Sequence, residues 1–443
     1  MTSRFDSTRR ELLRIGALSL FGGSVTRALQ AEMTKTDNAG RGKRSCIFIM
    51  LQGGASHHEL WDPKPDASAE IRGPFQTIET SLPGVRFGEL MSGSAKIADR
   101  IAVIRSMTHK FTNHIAGTYV TLTGSNNQPD ADREAHGDDF PGPGAILNWL
   151  EKETGKIPRS VSLPNWLSIP GPSNRMPGQF AGFLGSVYDP FLIAGEPQEP
   201  NFKPLAMDLP NGMSTDRLNA RLSLTRQLDR AAAHLEHNLN RRYDHLMQSA
   251  YDLVADGRVR EALDLSKETD ATRDRYGRNK FGQSLLLARR LIEADVQLVG
   301  YNEFNQKWDT HGDLQRRYKE IVPPMDQAFS ALIADLEEKE LLDQTLVINA
   351  GEFGRTPVVN KGGGRDHWPN AYSVALAGGG IQRGIVLGAS DNKGGEVSSQ
   401  PLHPADVLAT MWRQLGVAPD SVIYDRLNRP HMISSGRVIH ELL

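Results

Sequence analysis

Apolar and polar positions alternate in blocks along most of the chain. Mostly apolar runs occupy residues 46–51, 101–104, 161–169, 296–301, 345–350, 372–377 and 385–387. Runs this short, bounded by Gly, Pro, Asn and Asp, predict strands, and their lack of strict alternation predicts burial on both faces. Between them, apolar residues recur at helical spacing over 114–122, 145–156, 313–339 and 403–415. Strands alternating with helices predict a mostly parallel sheet covered on both faces, a three-layer α/β/α sandwich. In such sheets ligands bind beyond the carboxyl ends of the strands.

Residues 214–294 break this rhythm. Leu218, Leu222, Leu224 and Leu228, then Leu246, Leu253, Leu263 and Leu285, recur among many charges. This predicts a helical segment packed on the main body with a solvated charged face. The expected organisation is a leader over 1–31, a polar linker over 32–44 and one domain over 45–443.

The leader follows from the N-terminus. Arg9 and Arg10 precede a modest apolar stretch from Ile15 to Val25, too short and too weakly apolar to span a bilayer. Paired arginines there predict twin-arginine export to the periplasm or beyond. Removing 1–31 takes the net charge from −2 to −5. With so small a net charge there is no electrostatic case for nucleic acid as a partner. The lone cysteine, Cys46, lies inside an apolar run, so it reads as a small core residue.

Three polar clusters were expected just past strands. They are Trp308-Asp309-Thr310-His311, Glu352-Phe353-Gly354-Arg355-Thr356-Pro357 and Gly364-Arg365-Asp366-His367-Trp368. In an extended segment Asp309 and His311 point the same way and can share an ion. The mixture of imidazole nitrogen and carboxylate oxygen suits Zn or Mn, with Ca a weaker candidate, since Ca prefers all-oxygen sites. Arg355 and Arg365 read either as forks for a phosphate or sulfate or as structural partners of Glu352 and Asp366. Upstream, His57 reads as a ligand or an acid/base group, and His58 either shares such a role or faces solvent. Thr112 reads as a helix N-cap or a nucleophile, next to His109 and His114 at a helix N-terminus, where anions are favoured.

Together these motifs resemble a family. Gln52-Gly53-Gly54-Ala55-Ser56-His57 with Trp61-Asp62-Pro63-Lys64-Pro65, Asn113-His114 with Leu122-Thr123-Gly124, Tyr276-Gly277 with Phe281-Gly282-Gln283-Ser284, and the three clusters above are similar to a large, planctomycete-rich family of exported bacterial proteins. That family is of unknown function, within the alkaline phosphatase/sulfatase superfamily. The resemblance implies an alkaline phosphatase-like sandwich whose metal is held by Asp309 and His311, by Glu352, and by Asp366 with His367. Two departures stand out. Gly53-Gly54 replaces the superfamily's aspartate after the first strand, which leaves His57 or His114 to take its place. No Cys-x-Pro-Ser-Arg is present, so formylglycine chemistry is excluded. The reading reached is an exported metal-dependent hydrolase of phosphate or sulfate esters acting on an anionic small molecule or glycan. Its rival is an inactive relative that binds a sulfated glycan or a protein partner.

Overall fold

The computed structural model describes residues 44–150, 158–168, 175–202, 257–303 and 305–443. The expected leader, nearly all of the linker, residues 151–156 of one expected helix and residues 214–256 of the helical segment lie outside the described residues.

Ten strands organise the part that bears on function. They are β1 (Ser45–Met50), β2 (Ile101–Met107), β3 (Ser160–Leu163), β4 (Phe191–Leu192), β5 (Leu298–Asn302), β6 (Thr345–Ala350), β7 (Gly354–Arg355), β8 (His367–Trp368), β9 (Tyr372–Ala377) and β10 (Ile385–Leu387). Five helices matter most: α1 (His114–Thr123), α2 (Pro143–Leu150), α3 (Lys280–Glu293), α4 (Leu314–Glu338) and α5 (Pro404–Gln414). Eight strands form one sheet in the order β10-β2-β9-β6-β1-β5-β3-β4, while β7 and β8 pair separately as a short ribbon. β9 runs antiparallel to both neighbours, and the other pairs are parallel. The fold class is therefore the expected one: α/β with a large, mostly parallel central sheet.

β1 shows why these residues make a central strand. All six are buried, and their side chains alternate between faces, as a strand requires. Ile47 and Ile49 join the core that packs under α3 and α4. Cys46, Phe48 and Met50 join the core under α1, α2 and α5. Burial raises the Cys46 thiol pKa and keeps it neutral. Each fully buried aliphatic side chain here contributes about 1.5–3 kcal/mol. The core continues beneath the first turn, where Trp61 meets Phe87 and Phe329 edge-on with ring centroids 5.1 and 5.9 Å away.

Three details differ from the expectations. The strand expected over 161–169 ends at Leu163, and the edge strand β4 lies in a Pro/Gly-rich stretch that carried no strand pattern. The third polar cluster does not follow a strand of the sheet. It precedes β9, and it reaches the same rim because β9 runs backwards.

Candidate metal centre

Three strands of the sheet supply the rim at their carboxyl ends. β2 delivers the segment leading to α1, β5 the loop to Asp309, and β6 the turn to Glu352. Asn113, not Thr112, caps α1: its side-chain oxygen accepts from the N–H groups of Ile115 (2.9 Å) and Ala116 (3.3 Å). His114 is thus the first helical residue and faces the rim. One turn on, Gly117 lets the helix close on the turn after β6, since a Cβ there would stand 3.0 Å from the Phe353 ring and 3.3 Å from Glu352.

Glu352 is fully buried. Its carboxylate accepts hydrogen bonds from the Gly53 N–H (2.8 Å), the Gly54 N–H (3.0 Å) and His114 Nδ1 (2.6 Å). Burial alone would raise its pKa. The His114 bond and charge, with the backbone N–H groups, outweigh burial and hold it below the usual carboxylate range. The absent first-strand aspartate has a steric cause here. Gly53 has φ +110°, and a Cβ on it would lie 2.4 Å from the Asp309 backbone nitrogen, so the turn excludes any side chain.

Four donor atoms converge above this floor. Asp309 Oδ1 lies 3.0 Å from His311 Nε2, 3.3 Å from His367 Nε2 and 3.4 Å from His114 Nε2. His311 Nε2 and His367 Nε2 stand 3.0 Å apart. Among the described residues, the ligand atoms of His114, Asp309 and His367 all lie within 4.8 Å of one another, close enough to hold a metal ion. His311 joins them from the solvent side, 48% exposed against 9% for His114.

The hydrogen bonds behind the imidazoles decide what they present. His367 Nδ1 donates to the Thr112 carbonyl (2.6 Å), His114 Nδ1 to Glu352, and His311 Nδ1 to Asp366 (2.7 Å). The His311 hydrogen bond holds the Asp366 carboxyl below its ordinary pKa, so it accepts. All three rings in their neutral form therefore turn an Nε2 lone pair toward Asp309, which is itself an anion. Burial would raise the Asp309 pKa, but hydrogen bonds donated by His114 and His367 once Nε2 carries a proton, with that of Arg355, drive it far down. Lone pairs facing one another at this range need a proton or a cation between them. Without a metal, protons serve: burial lowers the His114 pKa, but the Asp309 and Glu352 bonds outweigh it and raise it to about 9. The donor set also fits a metal, because donors arranged tetrahedrally about zinc stand roughly 3.3 Å apart. Carboxylates that orient ligating imidazoles are the usual outer support of such sites.

The structure places the remaining expected residues elsewhere. Glu352 and Asp366 do not join the converging atoms; they back His114 and His311. Arg355 is fully buried. It bonds Asp309 Oδ1 at 2.7 Å and the carbonyls of Gly53, Gly54 (2.9 Å) and Arg365 (3.0 Å). Arg365, also fully buried, bonds Glu59 at 2.6 and 2.9 Å and the carbonyls of Ile71, Thr356 and Pro357. Both guanidiniums are structural, with Asp309 and Glu59 as partners in place of Glu352 and Asp366. The Thr112 hydroxyl donates to Asp130 (2.8 Å), whose carboxylate also takes the Thr112 and Asn113 N–H groups. His57 does not reach Asp309. Its Nε2 donates to the Gly394 carbonyl at 2.8 Å, and burial lowers its pKa to about 4. His58 is buried against it, ring centroids 4.2 Å apart, rather than facing solvent. Of the two, His114 is the imidazole that reaches Asp309. Its sequence signals were its place at an expected helix N-terminus and in the Asn113-His114 pair.

The profile of a family described as "Protein of unknown function (DUF1501)" matches residues 43–443. The chain belongs to this family. No curated protein matches it. Among solved structures, the DUF1501 chain is similar to Ps i-CgsB at 11% identity and TM-score 0.40, covering 85% of this chain and 72% of that one. It is similar to the PsFucS1 sulfatase from Pseudoalteromonas sp. at 11% and 0.36, covering 89% and 72%. It is also similar to the phosphonate monoester hydrolase SpPMH from Silicibacter pomeroyi at 13% and 0.35, covering 90% and 76%. Likeness this distant carries nothing about chemistry.

Proposed function

We propose that this protein is an exported, metal-dependent hydrolase of phosphate or sulfate esters. One observation carries the reading: His114, Asp309 and His367 converge from three separate stretches of chain with ligand atoms all within 4.8 Å of one another. A divalent cation held there supplies Lewis-acid polarisation of an ester oxygen and activation of water at neutral pH. The nitrogen-rich donor set favours Zn or Mn over Ca. The chain's own residues do the rest. Glu352 fixes the His114 ring and its tautomer, and Asp366 keeps the His311 proton on Nδ1. Arg355 pins Asp309 so that one carboxylate oxygen faces the imidazoles. His311, the solvent-side donor, borders the path an ester must take.

A second reading, a binding protein without turnover, is favoured by one specific observation. Neither Arg355 nor Arg365 is free to grip an anion, and the Thr112 hydroxyl is held by Asp130. Metal analysis of protein purified without chelator, followed by aryl phosphate and aryl sulfate assays with added Zn or Mn, separates the two. Turnover lost in Asp309→Ala and His367→Ala supports the hydrolase. Bound metal without turnover supports the binder, and absence of metal overturns the centre itself.

A further inference from the structure

A cleft of about 910 Å³ opens at the far end of α1 from the imidazole cluster. Two segments supply most of its lining. One is the hairpin Val422–Tyr424 with Pro430–Met432, which carries three of the five exposed large apolar side chains among the described residues: Tyr424, Leu427 and Met432. The latter two line the cleft. The other is the loop after α1, with Ser125, Asn126, Asn127 and Asp138. The floor is aromatic: Phe183 stacks on His431 at 5.1 Å, and Phe140 meets Phe183 edge-on at 5.6 Å.

The charges of the cleft are almost all spent internally. Asp139 pairs with Arg133 at 2.8 Å, and Asp425 pairs with Arg429 at 2.6 Å and His431 at 3.1 Å. Asp138 has only the exposed His136 near it, at 3.5 Å. Together with Arg426 it leaves one charge of each sign.

We infer that this cleft binds a neutral saccharide. A pyranose has an apolar C–H face and a rim of hydroxyls, which matches a lining that mixes Leu427, Met432 and the rings of Phe140 and Phe183 with the Asn127 amide, the Ser125 hydroxyl and the Asp138 carboxylate. Each planar amide or carboxylate offers two adjacent polar atoms, the arrangement that neighbouring hydroxyls require. The balanced charge gives no advantage to an anionic chain, and the volume is that of a site for a ligand of several rings. The ten residues of α1, at about 1.5 Å each, set the cleft roughly 15 Å from His114. The inference needs only the walls of the cleft and stands apart from the hydrolytic reading.

The test uses full-length, metal-stripped protein, so that failure of the metal centre leaves it intact. Cello-, xylo-, manno-, malto- and chito-hexaoses are titrated by calorimetry, with sulfated dextran and a casein digest as comparators. At least one neutral hexaose is expected to bind. Met432→Ser and Asp138→Ala, both at exposed positions that a fold tolerates, are each expected to weaken it roughly fivefold, the worth of one apolar contact in the first and of about one hydrogen bond in the second. Binding of none of the neutral sugars, of sulfated dextran or peptides alone, or binding that both variants retain in full, overturns the inference.

Discussion

Replacing Glu352 by Gln keeps the size of a buried side chain and removes its charge. In the parent, the carboxylate accepts from two backbone N–H groups and from His114 Nδ1. An amide has one accepting oxygen, and its NH2 must face a donor whichever way it turns. Hydrogen bonds to an ionised group are worth about 1.5–3 kcal/mol each, so losing at least one puts the destabilisation at about 2–3 kcal/mol. The His114 ring also loses the acceptor that fixes its tautomer. Loss of such support lowers metal affinity about 10–100-fold, equal to about 1.4–2.8 kcal/mol. Zinc titration of metal-stripped protein at neutral pH, beside urea unfolding of the same samples, reads both quantities. An unchanged zinc affinity in a folded variant would refute the idea that Glu352 acts through His114.

Other outcomes follow from the same geometry. In metal-free protein the His114 pKa is raised to about 9 from an ordinary 6.5. Its stabilisation is therefore complete below pH 6.5 and lost as pH rises through 9, by up to about 3 kcal/mol; urea midpoints that stay flat over this window would contradict it. Arg365→Met leaves Glu59 buried without its partner and is expected to cost about 3–5 kcal/mol, seen as a fall in thermal midpoint with or without metal. Gly53→Ala places a Cβ against the Asp309 backbone at φ +110°. It is expected to abolish zinc binding, or folding, where Gly363→Ala, also at positive φ (+69°) but with nothing within 4 Å, costs only the left-handed backbone strain of about 1–2 kcal/mol.

Much of the fold was legible because buried strands advertise themselves. The ranges 345–350, 372–377 and 385–387 carry apolar runs whose ends match the observed strands. β4 was not legible: two half-buried residues in a Pro/Gly-rich stretch make no periodic pattern. The clusters were visible, but the division of labour within them was not. Glu352 and Asp309 look alike in sequence. What separates them is the pair of N–H groups that the Gly53-Gly54 turn aims at Glu352, a contact made across the sheet. Likewise nothing local in Arg355 or Arg365 announces that each is surrounded by carbonyls. His57 and His114 were equal candidates for the vacated position until the Gly394 carbonyl claimed His57.

The scatter of the imidazole cluster along the chain bears on the order of events in folding. His114 and Glu352 are 238 residues apart, and Asp309 and His367 are 58 apart. No two strands adjacent in sequence bring the donors together, so long loops must close first, and contacts of this kind form late. A cation therefore cannot template this protein as zinc templates a finger. Under the proposed function it would arrive at a finished sheet, and were the chain exported already folded, the compartment of synthesis would choose the metal.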